Sequence, residues 1–234
     1  MDCSYLEKNL ELVKNKMKNA ALAANRDGDE ILLMPAVKYA DAEQINYLHT
    51  HLGINDVGEN RVQQLLERWD KLEKDGLNIH FIGSLQTNKV KYIIDKVCLI
   101  HSLDSERLAA EIDRQAKKHG IVMRVLVEVN SGSEESKGGI EPSEVERFCL
   151  SLDKYEGIKL CGFMTMAPRC EDKSLYHKYF SQTRDLCTDI WYNKLKRSDD
   201  PILSMGMSES FEEAIAEGST LVRVGSMLFR QNNT

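Results

Sequence analysis

Eight short apolar runs punctuate this 234-residue chain, and a stretch of helical character follows each of them. The runs fall at 31–37, 53–57, 79–82, 97–101, 121–129, 158–163, 201–204 and 220–224. Near-continuous apolar strands are what a sheet covered on both faces requires. A helix after every strand makes that sheet parallel. Asp41 and Thr87 stand where helix N-caps belong, a helix starts at Ser105, and Pro142 opens a further helix. A strand–helix order that reaches eight at this length predicts an α/β fold, a single (β/α)8 TIM barrel over 1–234. A doubly wound open sheet is the rival, but no Gly-x-Gly-x-x-Gly follows the first strand. Ahead of that strand, Leu6, Leu10, Val13, Met17 and Ala21 recur at helical spacing, so an extra N-terminal helix is expected over 4–25.

Composition narrows the function classes. A formal charge of −6 provides no broad basic surface, which argues against nucleic acid as a partner. No apolar run approaches the length of a membrane span, and no signal-peptide core opens the chain. The six cysteines show no Cys-x-x-Cys and no metal-ligand spacing, which reads as reduced thiols in a cytoplasmic protein. His49 and His51 are two apart and cannot share a helix face, so no metal is expected. His80 reads as a satisfied core or rim histidine.

In a barrel the chemistry sits at the C-terminal ends of the strands. Those positions hold Lys38, then Glu59, Asn60 and Arg61, then Gly83 and Ser84, then Asn130 with Lys137 beyond it, then Met164 to Met166. The last two strands end in Met205-Gly206-Met207-Ser208 and in Gly225-Ser226. Two small-residue loops side by side can aim several backbone N–H groups at one anion, so a phosphate cup is expected there. An ordinary strand–helix–strand unit with glycine turns would look the same. Ser208 is also placed to cap a helix over 209–217. Lys38 ends an apolar strand and faces the mouth. It suits imine formation with an aldehyde, or else it simply reaches solvent along its stem. Aldehyde at one end and phosphate at the other describe pyridoxal 5′-phosphate (PLP). Arg223 would then face the pyridine nitrogen. A guanidinium accepts no proton, so the ring would stay a weak electron sink.

Several motifs in one order carry a resemblance over essentially the whole chain. They are Ala36-Val37 before Lys38, GENRVQ at 58–63, HFIGSLQTNK at 80–89, EESKGG at 134–139, GFMTMA at 162–167, LSMGMS at 203–208 and VRVGSMLF at 222–229. With them the chain resembles the pyridoxal phosphate homeostasis proteins of the YggS/PROSC type. The resemblance implies a barrel like the N-terminal domain of alanine racemase. It implies that Lys38 holds PLP as a lysine aldimine, that Ser208, Gly225 and Ser226 bind the phosphate, and that Arg223 lies by the pyridine nitrogen. Asn60 and Met164 would line the pocket. The implied role is a carrier or buffer without established turnover, acting as a monomer, with PLP and apo PLP-dependent enzymes as partners and neither nucleic acid nor membrane. Two positions depart from the family pattern, Tyr39 after the lysine and Arg230 after the last motif. An amino-acid racemase of alanine racemase type is the alternative. Its opposing tyrosine comes from a second domain for which this chain shows no residues. A Schiff-base aldolase is a third reading, with Glu59 or Tyr39 near the imine.

Overall fold

The computed structural model describes residues 3–132 and 138–231. Eight parallel strands make one sheet: β1 (Leu32–Pro35), β2 (Asp56–Glu59), β3 (Asn78–Phe81), β4 (Leu99–Leu103), β5 (Met123–Val129), β6 (Ile158–Thr165), β7 (Ile202–Ser204) and β8 (Leu221–Val224). The order runs β1-β8-β7-β6-β5-β4-β3-β2. A parallel bridge from Ala36 to Gly58 joins its two ends, and Val37 N–H donates to Gly58 O at 3.0 Å. This closes the sheet into the expected barrel.

The strands are two-faced in a particular way. Their outward residues, such as Val57, Phe81, Ile100, Val125, Phe163, Leu203 and Val222, join one large core beneath the helices. Their inward residues are mixed. Met34, Ile82 and Leu221 form one apolar group, while Leu99, Leu126, Cys161 and Met164 form another. His80, His101, Ser204 and Arg223 are buried as well. Gly58 belongs inside because a Cβ there would lie 2.9 Å from both Met34 Cε and Ile82 Cδ1.

The helices are α1 (Ser4–Ala23), α2 (Ala42–Thr50), α3 (Val62–Arg68), α4 (Glu106–His119), α5 (Val145–Ser151), α6 (Ser174–Asp189), α7 (Phe211–Ala216) and α8 (Ser226–Phe229). The N-terminal helix buries Leu6, Leu10, Val13, Met17 and Ala21, the stripe its periodicity indicates. It packs on α7 and α8. Since α8 is four residues long, α1 covers the flank that a full-length last helix would cover. Asn9 Nδ2 donates to Leu228 O at 2.8 Å and Arg230 O at 3.0 Å, so the turn at Arg230 is held by α1.

Several local expectations are corrected. β2 begins at Asp56 because Gly53, with φ +68°, belongs to the turn after α2. The helix expected after Thr87 is a 3₁₀ stretch, Thr87–Tyr92. Val90 and Ile93 are both fully buried there, and a three-residue repeat stacks them on one side. Ser105 caps α4, and Asp41 caps α2 through a capping box with Gln44. Ser208 does not cap α7, which starts after Ser210; its hydroxyl accepts instead from Gly225 and Met227 N–H at the start of α8. All six cysteines are free thiols. Burial pushes Cys98 up to about 11 and Cys149 to about 12, which keeps both protonated.

Candidate functional site

A cavity of about 400 Å³ opens at the C-terminal ends of the strands, within the size range of small-molecule sites. Lys38, Asn60, Ser208, Arg223, Gly225 and Ser226 all line it. The strand ends therefore bring together six residues scattered over the whole sequence. A larger cavity of about 950 Å³ lies between α1 and the opposite barrel face. Its charged residues are mixed in sign, with Lys14, Lys18 and Arg26 beside Asp27, Asp29 and Glu30, and they converge on no single point.

Lys38 is half-buried just past β1. Its Nζ sits 4.7 Å from the centre of the Tyr39 ring, a cation–π distance. Tyr39 is 71% exposed, so the bulkier residue stands on the rim and does not fill the cavity. Its hydrogen bond to the Lys38 ammonium holds the phenol below its ordinary value.

The backbone around Lys38 is pinned from α3. Arg68 Nη1 donates to Ala40 O at 2.6 Å and to Val37 O at 3.2 Å. Its Nη2 donates to Glu59 Oε2 at 2.7 Å. Gln64 Nε2 donates to Lys38 O at 3.4 Å. Glu59 is 1% exposed, and burial raises its pKa against the pull of Arg68. Glu59 is thus spent on Arg68 and is absent from the cavity lining, which removes it as an acid near the lysine. Reasoning from the sequence missed Arg68. The signal that could have found it is an arginine one helical turn below Leu65 on the inward face of α3.

At the end of β8, the strand next to β1, the amides of Gly225 and Met227 converge on one oxygen. Both donate to Ser208 Oγ, at 3.2 Å and 3.4 Å. These bonds are long, so the amides can also serve an anion placed between them. Close approach of the loop to β1 needs a glycine, since a Cβ at Gly225 would lie 3.0 Å from Ala36 O. Gly206, at φ +90°, has no room for one either, being 2.6 Å from Ala214 Cβ.

Arg223, on β8 just before Gly225, lines the same cavity and is 4% exposed. Nη1 donates to Ser204 O at 2.6 Å and Ser204 Oγ at 2.7 Å, and Nη2 to Thr165 O at 2.8 Å. Burial lowers its pKa to about 10, opposed by Glu128, so it remains a cation at neutral pH. The expectation for Met164 is corrected. It is 1% exposed and packed with Leu99, Leu126 and Cys161, below the cavity. Met166, one pleat further along the same face, reaches the lining instead. Lys137 lies outside the described residues. Among the described residues no group of three His, Cys, Asp or Glu side chains is placed to hold a metal.

Beside Arg223, burial and then Asp104 push Glu128 up to about 7, with Arg223 opposing. A carboxyl raised in the folded state stabilises fully below its unfolded value, near 4.5, and loses that contribution as pH rises through about 7. Glu128→Gln should therefore gain on the parent protein by about 3 kcal/mol between acid and mildly basic pH. Urea unfolding at a series of pH values measures it, and a constant difference between the two proteins would contradict it.

Known proteins share this fold and much of this sequence. The family model described as alanine racemase, N-terminal domain, matches residues 1–233. A pyridoxal phosphate homeostasis protein from Aquifex aeolicus is 41% identical over 222 residues, which are 94% of this chain and 95% of that protein. The one from Escherichia coli K12 is 31% identical over 94% of both chains. A Bifidobacterium adolescentis crystal structure of an unknown protein superposes with a TM-score of 0.89 at 31% identity, covering 98% of this chain and 97% of that one. PipY of Synechococcus elongatus, in a structure with PLP bound, gives 0.76 at 26% identity, covering 92% and 100%. The chain belongs to the alanine racemase N-terminal domain family and, within it, to the pyridoxal phosphate homeostasis proteins.

Proposed function

We propose that this protein binds PLP and serves intracellular PLP homeostasis, as a carrier that stores the cofactor and yields it to apo-enzymes. The observation that carries the reading is that a primary amine, Lys38, and an amide-lined cup, Ser208 with Gly225 and Met227, border one cavity from the ends of the adjacent strands β1 and β8. PLP brings an aldehyde that condenses with a primary amine and a phosphate that bears roughly −1.5 to −2 charges. The residues present fit both ends. Asn60 Oδ1 is buried at the cavity without a partner, so a polar ligand group has a place to bond. Ser208, Gly225 and Ser226 would take the phosphate, Lys38 the aldehyde end, and Arg223 the ring nitrogen.

Arg223 is held by three oxygens and stays charged, so it offers the ring nitrogen a hydrogen-bond donor and no proton acceptor. That favours keeping the ligand over driving chemistry on it. The open rim at Tyr39, Met166 and Met207 leaves an incoming amine free to reach the same carbon. We place this work in the cytoplasm, in a single-domain monomer. The crystal structure of a Clostridium difficile alanine racemase, at 20% identity and TM-score 0.74, shares the fold alone, and this chain covers 58% of it.

Titration with PLP and with pyridoxal tests the assignment of the cup. Ser208→Ala should weaken PLP binding by about 1.5–3 kcal/mol, the range for a bond to a charged group. The same change should leave pyridoxal binding almost unaltered. Equal losses for the two ligands would place the phosphate elsewhere.

A further inference from the structure

Five polar side chains cross the barrel interior in one hydrogen-bonded line. The pleat turns Asp56 of β2, His80 of β3, His101 of β4, Ser204 of β7 and Arg223 of β8 inward. Asp56 Oδ1 lies 3.0 Å from His80 Nε2, and His80 Nδ1 lies 2.9 Å from His101 Nε2. His101 Nδ1 is 3.0 Å from Ser204 Oγ, which is 2.7 Å from Arg223 Nη1. His101 and Ser204 are fully buried. The foot of the line opens into a cavity of about 290 Å³ lined by Asp56, His80, Cys98 and Arg124. The head, Arg223, lines the ligand cavity. The line therefore joins two opposite faces of the barrel.

Its bond directions follow from chemistry. Arg223 can only donate, so Ser204 Oγ accepts from it and gives its own hydrogen to His101 Nδ1. Burial first, then positive charge on His80 whenever it is protonated, then Arg223 and Arg124, hold His101 well below the ordinary imidazole value, so it is neutral. Its one N–H is then on Nε2 and goes to His80 Nδ1. His80 in turn gives its Nε2–H to Asp56, a bond that holds this carboxyl below its usual range. Every donor meets an acceptor, and all point from the cation to the carboxylate.

A second proton on His80 reverses the line. His80 Nδ1–H must then donate to His101 Nε2, so the His101 proton relocates to Nδ1 and points at Ser204 Oγ. Net uptake is one proton from solvent. Ser204 now faces two donors, and its own hydrogen has lost its acceptor inside the barrel.

We infer that Asp56, His80, His101 and Ser204 are positioning residues that orient Arg223 toward the ligand, and that proton uptake at His80 weakens ligand binding at the far end of the barrel. The inference rests on the reading that the ligand lies against Arg223. The charged and titratable groups facing the histidines are Asp56 from β2, Cys98 at the start of β4, Arg124 from β5 and Arg223 from β8. Arg223 itself faces Glu128 of β5, with Asp104 beside that carboxyl. Glu128, pushed up to about 7, changes charge between the two pH values compared below, so the binding experiment is done in Glu128→Gln.

The first test needs no ligand and no variant. Long-range proton–nitrogen NMR on the full chain, labelled at histidine, should show His80 and His101 both as Nε2–H tautomers at about pH 8. As the pH is lowered to about 5, His101 should switch to Nδ1–H in step with the arrival of a second proton on His80. A His101 that keeps its tautomer while His80 gains its charge overturns the proposal. The second test compares PLP dissociation constants at the two pH values in Glu128→Gln and in Glu128→Gln with Ser204→Ala. The acid weakening should be at least about fivefold larger with Ser204 present, the low end of couplings between sites. Equal weakening overturns the coupling. A protein that shows the tautomer switch yet binds no PLP overturns the ligand reading, and the coupling with it.

Discussion

Reduction of the PLP-loaded protein with borohydride should leave the pyridoxyl group on the peptide that carries Lys38. Lys38→Ala should lose this covalent label and the visible colour that goes with it. The argument is one of reach. Among the described cavity-lining residues Lys38 alone supplies a primary amine, and it lines the same cavity as the cup formed by Ser208, Gly225 and Met227. The fold should survive, since Lys38 is half-buried at a polar mouth and contributes nothing to the core, and such changes usually stay within about 0.5 kcal/mol. Peptide mapping by mass spectrometry gives the answer directly. A label found on another lysine in the parent protein would sink the assignment. A variant that retains weak, reversible binding through the cup is expected, because the phosphate contacts do not depend on Lys38.

The second large effect is expected at Arg68, which touches no ligand. Arg68→Ala leaves the Glu59 carboxylate buried without its cation, and it strips donors from Val37 O and Ala40 O. Breaking a buried pair on one side costs roughly 3–5 kcal/mol. Burial holds the Glu59 carboxyl above its ordinary value even with Arg68 present. Without the arginine that rise should grow. A carboxyl raised in the folded state loses its stabilising contribution as pH rises through the folded value, so the deficit of the variant should be smaller in acid and larger at neutral pH. Urea midpoints with an unchanged slope measure it. Arg68→Met combined with Glu59→Leu should recover much of the stability, since an apolar pair avoids the buried charge. It should not recover PLP affinity, because the segment that carries Lys38 still lacks its two pins. Affinity restored along with stability would show that Arg68 acts only on the fold.

Much of the barrel is written locally. The apolar runs of β5 and β6, the Asp41 cap and the Leu6–Ala21 stripe each depend on neighbours within a turn or two, so periodicity and capping chemistry reveal them. Where local signals failed, a distant contact had decided. Ser208 has the chemistry of an N-cap for α7, yet its hydroxyl is taken by the amides of Gly225 and Met227 at the start of α8. Met164 and Met166 are equivalent by strand parity, and only height in the barrel sends one below the cavity and the other into its wall.

The order of motifs was enough to identify the family, and the rule that barrel chemistry gathers at strand C-termini picked out Lys38, Asn60, Ser208, Arg223, Gly225 and Ser226. Those conclusions need only residue identity and position along a strand. Tertiary structure alone decided the rest. Glu59 could have been an acid at the lysine, but it is committed to Arg68 because α3 folds back over the end of β1. His80 could have been any satisfied histidine. It is one of five groups, drawn from five strands, that share a hydrogen-bonded line. Hydrogen bonds reach about 3 Å, so which partners meet depends on the closure and register of the whole barrel, and no stretch of sequence contains that information by itself.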